Sequence, residues 1–286
     1  MTETMNLFGD APAINRNIDV YAMSLNNDVR FVSVNNTLKL PIEQNEVELL
    51  ATLYGSYKGS DVWDEGAVRI ESLSESRINL SKISFYELLV TNIIRNDYNN
   101  FRNFLVSIGN VDMIEALDKL KSIYLGLDFS GIVDLVEHCP LSNAVAVSVM
   151  LYDINGDLLI VERGTDVAIG QRLQSVSVTG SMNWNDFSQP NPVVACAIRE
   201  CREELGVEVS EADVRLTGIA AGVRKLQPAF LLTATVRSTV KSVQAVRPAC
   251  SEIAKVLGVS DIYAANEDRL TEIAKYQLSS DPRIVM

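Results

Sequence analysis

Apolar positions recur along this chain with a period that changes from segment to segment, so its elements are readable in order. Ile18 to Met23 and Arg30 to Val34 are short β-prone runs separated by Asn26-Asn27-Asp28, which predicts a hairpin. Ile42 to Tyr57 has helical spacing. Val68 to Leu73 and Ile78 to Ile83 predict two more strands. Phe85 to Ile94 and Val111 to Leu125 predict helices, the latter with Met113, Leu117, Leu120 and Tyr124 on one side. The polar, irregular start, through about Pro12, is expected to be mobile. Residues 1–140 therefore read as a smaller mixed α/β domain without a chemical motif.

A boundary is expected at Cys139-Pro140-Leu141-Ser142, because proline constrains the residue before it and a strong strand follows at once. In the second domain, residues 141–286, Ala144 to Tyr152 and Leu158 to Glu162 flank Asp153-Ile154-Asn155-Gly156-Asp157. Its Asn-Gly pair suits a tight hairpin. Val176 to Thr179 is a short strand ending at Gly180. A helix is expected from Pro192 to Leu205, strands at Val214 to Val223 and Ala229 to Val236, and helical material from about Ala249 to the end. Interleaved strands and helices place the chain in the α/β class.

Composition narrows the chemistry. With 286 residues, 47% of them hydrophobic, the chain can fold around real cores. Apolar stretches such as Ala144 to Met150 are far shorter than the roughly 20 residues of a membrane span, so no membrane partner is expected. The N-terminus lacks the features of a secretory signal, and a cytoplasmic location is expected. The cysteines Cys139, Cys196, Cys201 and Cys250 form no CxxC pair and are expected to be buried and reduced. A net charge of −12 with no basic run argues against nucleic acid as a partner. An anionic small substrate would then need a cation or placed arginines at the site. His138 is the single histidine, which excludes a multi-histidine zinc centre. No G-x-S-x-G elbow accompanies it, and a structural role is expected.

One helix carries candidate chemistry. Asn191-Pro192 is a helix start and Gly206 a helix stop. At about 100° per residue, Val194, Ala197, Ile198, Cys201 and Leu205 form an apolar stripe. Glu200, Glu203 and Glu204, at i, i+3 and i+4, are expected to share a second face turned away from it. Their repulsion costs a few tenths of a kcal/mol per pair. A hard divalent cation such as Mg²⁺ (or Mn²⁺) would convert that repulsion into binding. Taken alone, an E-x-x-E-E helix is an ordinary solvated face.

Its surroundings change that reading. Arg199-Glu200-Cys201-Arg202-Glu203-Glu204-Leu205-Gly206-Val207 matches R-E-(aliphatic)-x-E-E-x-G-(aliphatic), and so resembles the C-terminal half of the box of the Nudix hydrolase superfamily. The resemblance covers roughly Asn143 to Val236. It implies a Nudix α/β/α sandwich with a mixed sheet, and divalent-metal-dependent hydrolysis of a diphosphate linkage in a nucleoside diphosphate derivative, a nucleotide sugar or dinucleotide being favoured. It implies Glu203 and Glu204 as main metal ligands, Glu200 as ligand or base, the Gly180 carbonyl as a further ligand, and Arg199 as the residue that orients a neighbouring glutamate. Glu252 or Glu267 could instead supply the base. Arg163 and Arg224, the latter followed by Lys225, are candidate phosphate contacts or else solvated charges.

The first half of the box departs from the family. Counting back from Arg199, Asn185 and Asn191 stand where the pattern has glycine and glutamate. Placing the glycine at Gly180 instead implies an insertion of about five residues within Ser181 to Gln189, and Asp186 replaces the lost glutamate only if the loop folds back. The alternative function is a catalytically impaired nucleotide-binding sensor. Residues 1–140 would shape the pocket or form a homodimer interface, as in larger Nudix proteins that include hydrolases of nucleoside diphosphate sugars.

Overall fold

A computed structural model of the chain describes residues 20–164, 172–245, 253–258 and 270–281. The expected mobile start and the candidate bases Glu252 and Glu267 lie outside the described residues, as does Cys250. The first region contributes β1 (Val20–Ser24), β2 (Arg30–Ser33), α1 (Gln44–Lys58), β3 (Ala67–Leu73), β4 (Arg77–Ile83), α2 (Phe85–Leu88), α3 (Tyr98–Ser107), α4 (Val111–Tyr124) and α5 (Ile132–His138). The second contributes β5 (Ala146–Tyr152), β6 (Leu159–Arg163), β7 (Gln174–Val176), β8 (Val178–Ser181), α6 (Trp184–Phe187), α7 (Pro192–Leu205), β9 (Arg215–Gly222), β10 (Pro228–Thr235), α8 (Val240–Ala245), β11 (Ile253–Gly258) and α9 (Glu272–Ser280).

The central sheet has the order β1-β9-β10-β5-β8 and is mixed, with β10 and β5 parallel and its other pairs antiparallel. Alternation along β5 shows why helices cover both faces. Val147, Val149 and Leu151 enter one core together with Val193, Ala197, Cys201 and Leu205 of α7. Met150 and Tyr152 point the other way, into a cluster with Ala274 and Leu278 of α9. On that second face Ser148 Oγ donates to Gln277 Oε1 at 2.5 Å and Tyr152 Oη to Asp281 Oδ2 at 2.6 Å, so the polar atoms there are paired. The layering is the α/β/α sandwich expected. Two further sheets, β11-β6-β7 and β2-β4-β3, adjoin it.

Several sequence expectations are corrected. β5 and β6 do not form a tight hairpin: a single bridge, Tyr152 to Leu158, joins them, the two strands belong to different sheets, and of Asn155 and Gly156 only Gly156 has a positive φ. The runs at β1 and β2 are strands but not a hairpin: β1 pairs with β9, Val20 opposite Gly222, while β2 runs parallel to β4. Asn26 and Asn27 lack the positive φ of the tight hairpin turns. Their side chains instead accept hydrogen bonds from the Asp28 and Leu216 amides at 2.9 Å each. The segment beyond Ala249 is not uniformly helical, since Ile253–Gly258 pairs antiparallel with β6. The helix expected over Phe85 to Ile94 is interrupted by a π turn at Leu89–Ile93. The strand expected over Val176 to Thr179 is instead the end of β7 and the start of β8, which lie in different sheets, and the remaining predicted strands and helices form within a few residues of their expected bounds.

β1 lies before the expected boundary and β9 after it, and one apolar core runs from Tyr21 to Val256. The division into regions 1–140 and 141–286 is retained as a proposal about chain organisation. Cys139, Cys196 and Cys201 are free and buried. No helix among the described residues is long and apolar enough to cross a membrane.

The turn from β5 to β6 is organised by Asp153, which is only 2% exposed. Its carboxylate accepts from the amides of Asn155 at 2.7 Å, Asp157 at 3.0 Å and Val240 at 3.1 Å. Burial alone would raise its pKa, and these amides together hold it below the usual carboxylate value. The ionised form therefore stabilises the fold above the unfolded carboxylate pKa, and that contribution disappears as pH falls through the lowered folded value. Asp153→Asn, which loses one acceptor oxygen, is expected to melt roughly 2–6 °C lower at pH 7. Thermal melts across pH should show the gap closing on acidification, and a gap independent of pH contradicts the assignment.

Candidate functional site

Helix α7 starts and stops where its caps dictate. Asn191 Oδ1 accepts from the Val194 amide at 3.3 Å, Pro192 occupies the first turn, and Gly206 closes the helix at φ 66°. Its buried residues include Val193, Val194, Ala197, Cys201 and Leu205, and also Glu200 and Glu204. The shared outward glutamate face is thus corrected. Glu200 and Glu204 turn in toward β8, at 8% and 6% exposure, whereas the Glu203 side chain is 57% exposed.

β8 is shaped to receive them. A Cβ built on Gly180 would lie 1.9 Å from Glu200 Cδ, so only glycine leaves the carboxyl its seat. One residue earlier, the Thr179 amide donates to Glu204 Oε2 at 3.3 Å.

Arg199 joins the site together. Its Nε and Nη2 donate to Asp186, at 3.0 Å to Oδ1 and 2.7 Å to Oδ2. Nη2 also donates to the Ser181 carbonyl at 3.0 Å. Nη1 lies 2.8 Å from both Glu200 Oε1 and Glu203 Oε2. Burial alone would lower the pKa of Arg199, but Asp186 and Glu200 outweigh it and hold the guanidinium firmly charged. Burial pushes the Glu200 carboxyl up to about 7; Arg199 opposes the rise, and Glu203 and Asp186 reinforce it.

The loop does fold back, and it brings Asp186 to Arg199. That aspartate sits in α6, where Asn183 Oδ1 accepts from the Asn185 and Asp186 amides and Asp186 Oδ2 accepts from the Asn183 amide at 3.1 Å. Two signals for it were present in the sequence. Gly180, five residues and Asp186 reproduce the family's glycine-to-glutamate spacing, the extra length falling after it as twelve residues before Arg199 instead of seven. Asn183-x-x-Asp186 is also a capping-box pattern. Counting back from Arg199 hides both.

Trp184 has no such signal. Its Nε1 donates to the carbonyls of Ala67 at 2.9 Å and Ile83 at 3.0 Å, and its ring fills the space over Gly66, where a Cβ would lie 2.4 Å from it. Lys82 Nζ stands 5.1 Å from that ring's centroid. The loop carrying Asp186 is thus pinned to the β3–β4 sheet of the first region.

The two candidate phosphate contacts differ. Arg163 lies at the end of β6, on the face of the main core; its Nη1 donates to Thr179 Oγ1 at 2.7 Å, and its buried Nε has no hydrogen-bond partner among the described residues. Arg224 is 84% exposed and pairs with Glu272 of α9, Nε to Oε1 at 3.3 Å, on the opposite helical layer. Among the described residues no group of three or more His, Cys, Asp or Glu side chains is gathered to hold a metal ion.

No family model and no curated protein matches the chain. Parts of it are similar to solved structures. DR0079 from Deinococcus radiodurans is 20% identical over 46% of this chain and 79% of its own, with a TM-score of 0.33. A MutT/nudix family protein from Enterococcus faecalis is 14% identical over 40% of this chain and 42% of its own, at 0.29. A NUDIX hydrolase from Nitrosomonas europaea is 17% identical over 50% of this chain and 95% of its own, at 0.33. The chemistry of the site is read from its own geometry.

Gly66→Ala places a side chain at φ 74° against the rigid Trp184 ring and is expected to destabilise the protein by about 2–5 kcal/mol in denaturant melts. Stability within 0.5 kcal/mol or so of the parent would show that the ring is not pinned there. Gly180→Ala meets only the flexible end of Glu200, and is expected to fold with a loss of no more than about 1 kcal/mol while its crystal structure shows the carboxyl displaced.

Proposed function

We propose that this chain is a divalent-metal-dependent hydrolase of the diphosphate linkage in a nucleoside diphosphate derivative, a nucleotide sugar or dinucleotide being favoured. The observation that carries this reading is Arg199, which draws Asp186, Glu200 and Glu203 together beside the strand that holds Glu204.

The donor set suits a hard divalent cation in chemistry: the carboxylates of Glu200, Glu203 and Glu204 and the Gly180 carbonyl are all oxygen ligands. In placement, Arg199 Nη1 holds Glu200 and Glu203 itself, so binding an ion requires these carboxylates to turn from the guanidinium. Mg²⁺ or Mn²⁺ would supply neutralisation of phosphate oxygens and a water of lowered pKa. The residues of the chain do the rest. Asp186 keeps Arg199 in place, and Arg199 in turn sets the direction of the glutamates. Gly180 leaves room for Glu200, which serves as ligand or base. Arg163 offers its unpartnered Nε to a phosphate oxygen, and Arg224 is a second contact if it leaves Glu272. Neither nucleic acid nor a membrane is proposed as a partner.

A second reading, a nucleotide-binding sensor with impaired catalysis, is favoured by that same hold of Arg199 on two of the three glutamates. Incubation with Mg²⁺ and a panel of nucleotide sugars and dinucleotides is expected to release a nucleoside monophosphate. Glu204→Gln should slow release on the order of 100-fold or more. Undiminished turnover in the variant would sink the metal assignment. Thermal stabilisation by a ligand recovered intact would favour the sensor.

A further inference from the structure

The π turn Leu89–Ile93 is buried throughout, and such turns inside helices are frequent at functional sites. Within it Asn92 is fully buried and every hydrogen-bonding capacity of its amide is used. Its Oδ1 accepts from Ser142 Oγ at 2.7 Å and lies 2.8 Å from Thr91 Oγ1, whose one proton is shared with the Glu87 carbonyl at 2.6 Å. Its Nδ2 donates to the carbonyls of Lys225 at 2.9 Å and Leu226 at 3.2 Å. Arg95, one turn further on, donates to the carbonyl of Arg224. Three successive carbonyls of the loop between β9 and β10 are therefore held from the π turn and the 3-10 turn that follows it, Ile94–Asp97.

This loop needs holding. Leu226 is buried at φ 51°, in the left-handed region that branched side chains avoid, with its amide closing a turn onto the Gly222 carbonyl at 2.8 Å. At the loop's end Gln227, 5% exposed, reaches Ser181 Oγ with its Nε2 at 3.5 Å. The carbonyl of the same Ser181 accepts from Arg199 Nη2. Contacts thus run unbroken from the π turn through the loop and the end of β8 to the guanidinium that organises the carboxylates.

We infer that Asn92 is a positioning residue for the carboxylate centre: it fixes the loop of residues 223–227 and, through Gln227 and Ser181, the strand end on which Arg199 is set. Its influence on turnover rests on the hydrolase reading. Its influence on the loop and strand does not.

Asn92→Asp keeps the shape of the side chain but donates no hydrogen bond when ionised and only one when protonated, so at least one of the two carbonyls loses its donor. Asn92→Asp, Gln227→Ala and their combination, with Arg95→Gln as a milder withdrawal of the same hold, are compared by hydrogen exchange of the full chain without substrate. Asn92→Asp should speed exchange about tenfold or more at 223–228 and again at 180–182. Gln227→Ala should speed 180–182, and in its presence Asn92→Asp should add nothing there. Should Asn92→Asp fail to fold, Arg95→Gln is expected to show the same two-site pattern. Acceleration confined to the π turn, or spread equally over α1 and α4, overturns the inference. In the turnover assay Asn92→Asp should lower kcat by about tenfold or more with KM within about threefold, as displaced catalytic groups do. Unchanged kcat beside altered exchange also overturns it. A parent without turnover refutes the hydrolase reading alone, because the exchange pattern still decides whether Asn92 holds the strand end.

Discussion

The guanidinium of Arg199 is a partly buried cation surrounded by carboxylates, and the site is arranged around the fork of donors it presents. A planar group with five N–H donors can grip Asp186 with two of them, meet a carbonyl at Ser181 and still face two glutamates. A lysine has too few donors and no fixed plane for this. The constraint is reciprocal. Asp186 and Glu200, both nearly buried, would be costly as isolated charges, and the shared arginine is what makes their burial tolerable. The compensation is incomplete at Glu200: burial raises its pKa, Arg199 offsets only part of that rise, and Glu203 and Asp186 add to it.

Placing such a centre requires a rigid surround, and much of it comes from the first region of the chain. Trp184 is inserted between the carbonyls of Ala67 and Ile83, which anchors α6 and thereby Asp186. Asn92 and Arg95 hold the neighbouring loop by its carbonyls. β1 completes the edge of the central sheet. These are directional contacts between buried or half-buried polar groups, which lose much if either partner shifts. The first region therefore fixes the positions of α6 and of the loop between β9 and β10.

Local physics was legible in the sequence. The helix from Pro192 to Leu205 was readable to the residue because its caps are local: Asn191 satisfies the amide three positions on, and Gly206 takes up a conformation other residues resist. Alternation placed β5, and periodicity placed α4 with Met113, Leu117, Leu120 and Tyr124 buried. The motif around Arg199 identified the residues of interest. The sense in which its glutamates face was misjudged, because a helical wheel assigns polar residues outward and cannot see that Gly180 opens a seat for one of them.

What the sequence by itself determined, then, is the class of fold, the bounds of most elements and the identity of the charged helix, since each depends on interactions spanning a few residues. Tertiary structure alone decided the rest. It sent β1 to β9 rather than to β2, made a strand of Ile253–Gly258, and turned Glu200 and Glu204 inward while leaving Glu203 outside. It also folded the inserted loop so that Asp186 meets Arg199 and Trp184 meets the β3–β4 sheet. Strand pairing and ion pairing are choices among distant partners of similar local chemistry. They are settled by which arrangement fills the core and leaves few buried polar groups unpaired, and that is a property of the whole packed chain.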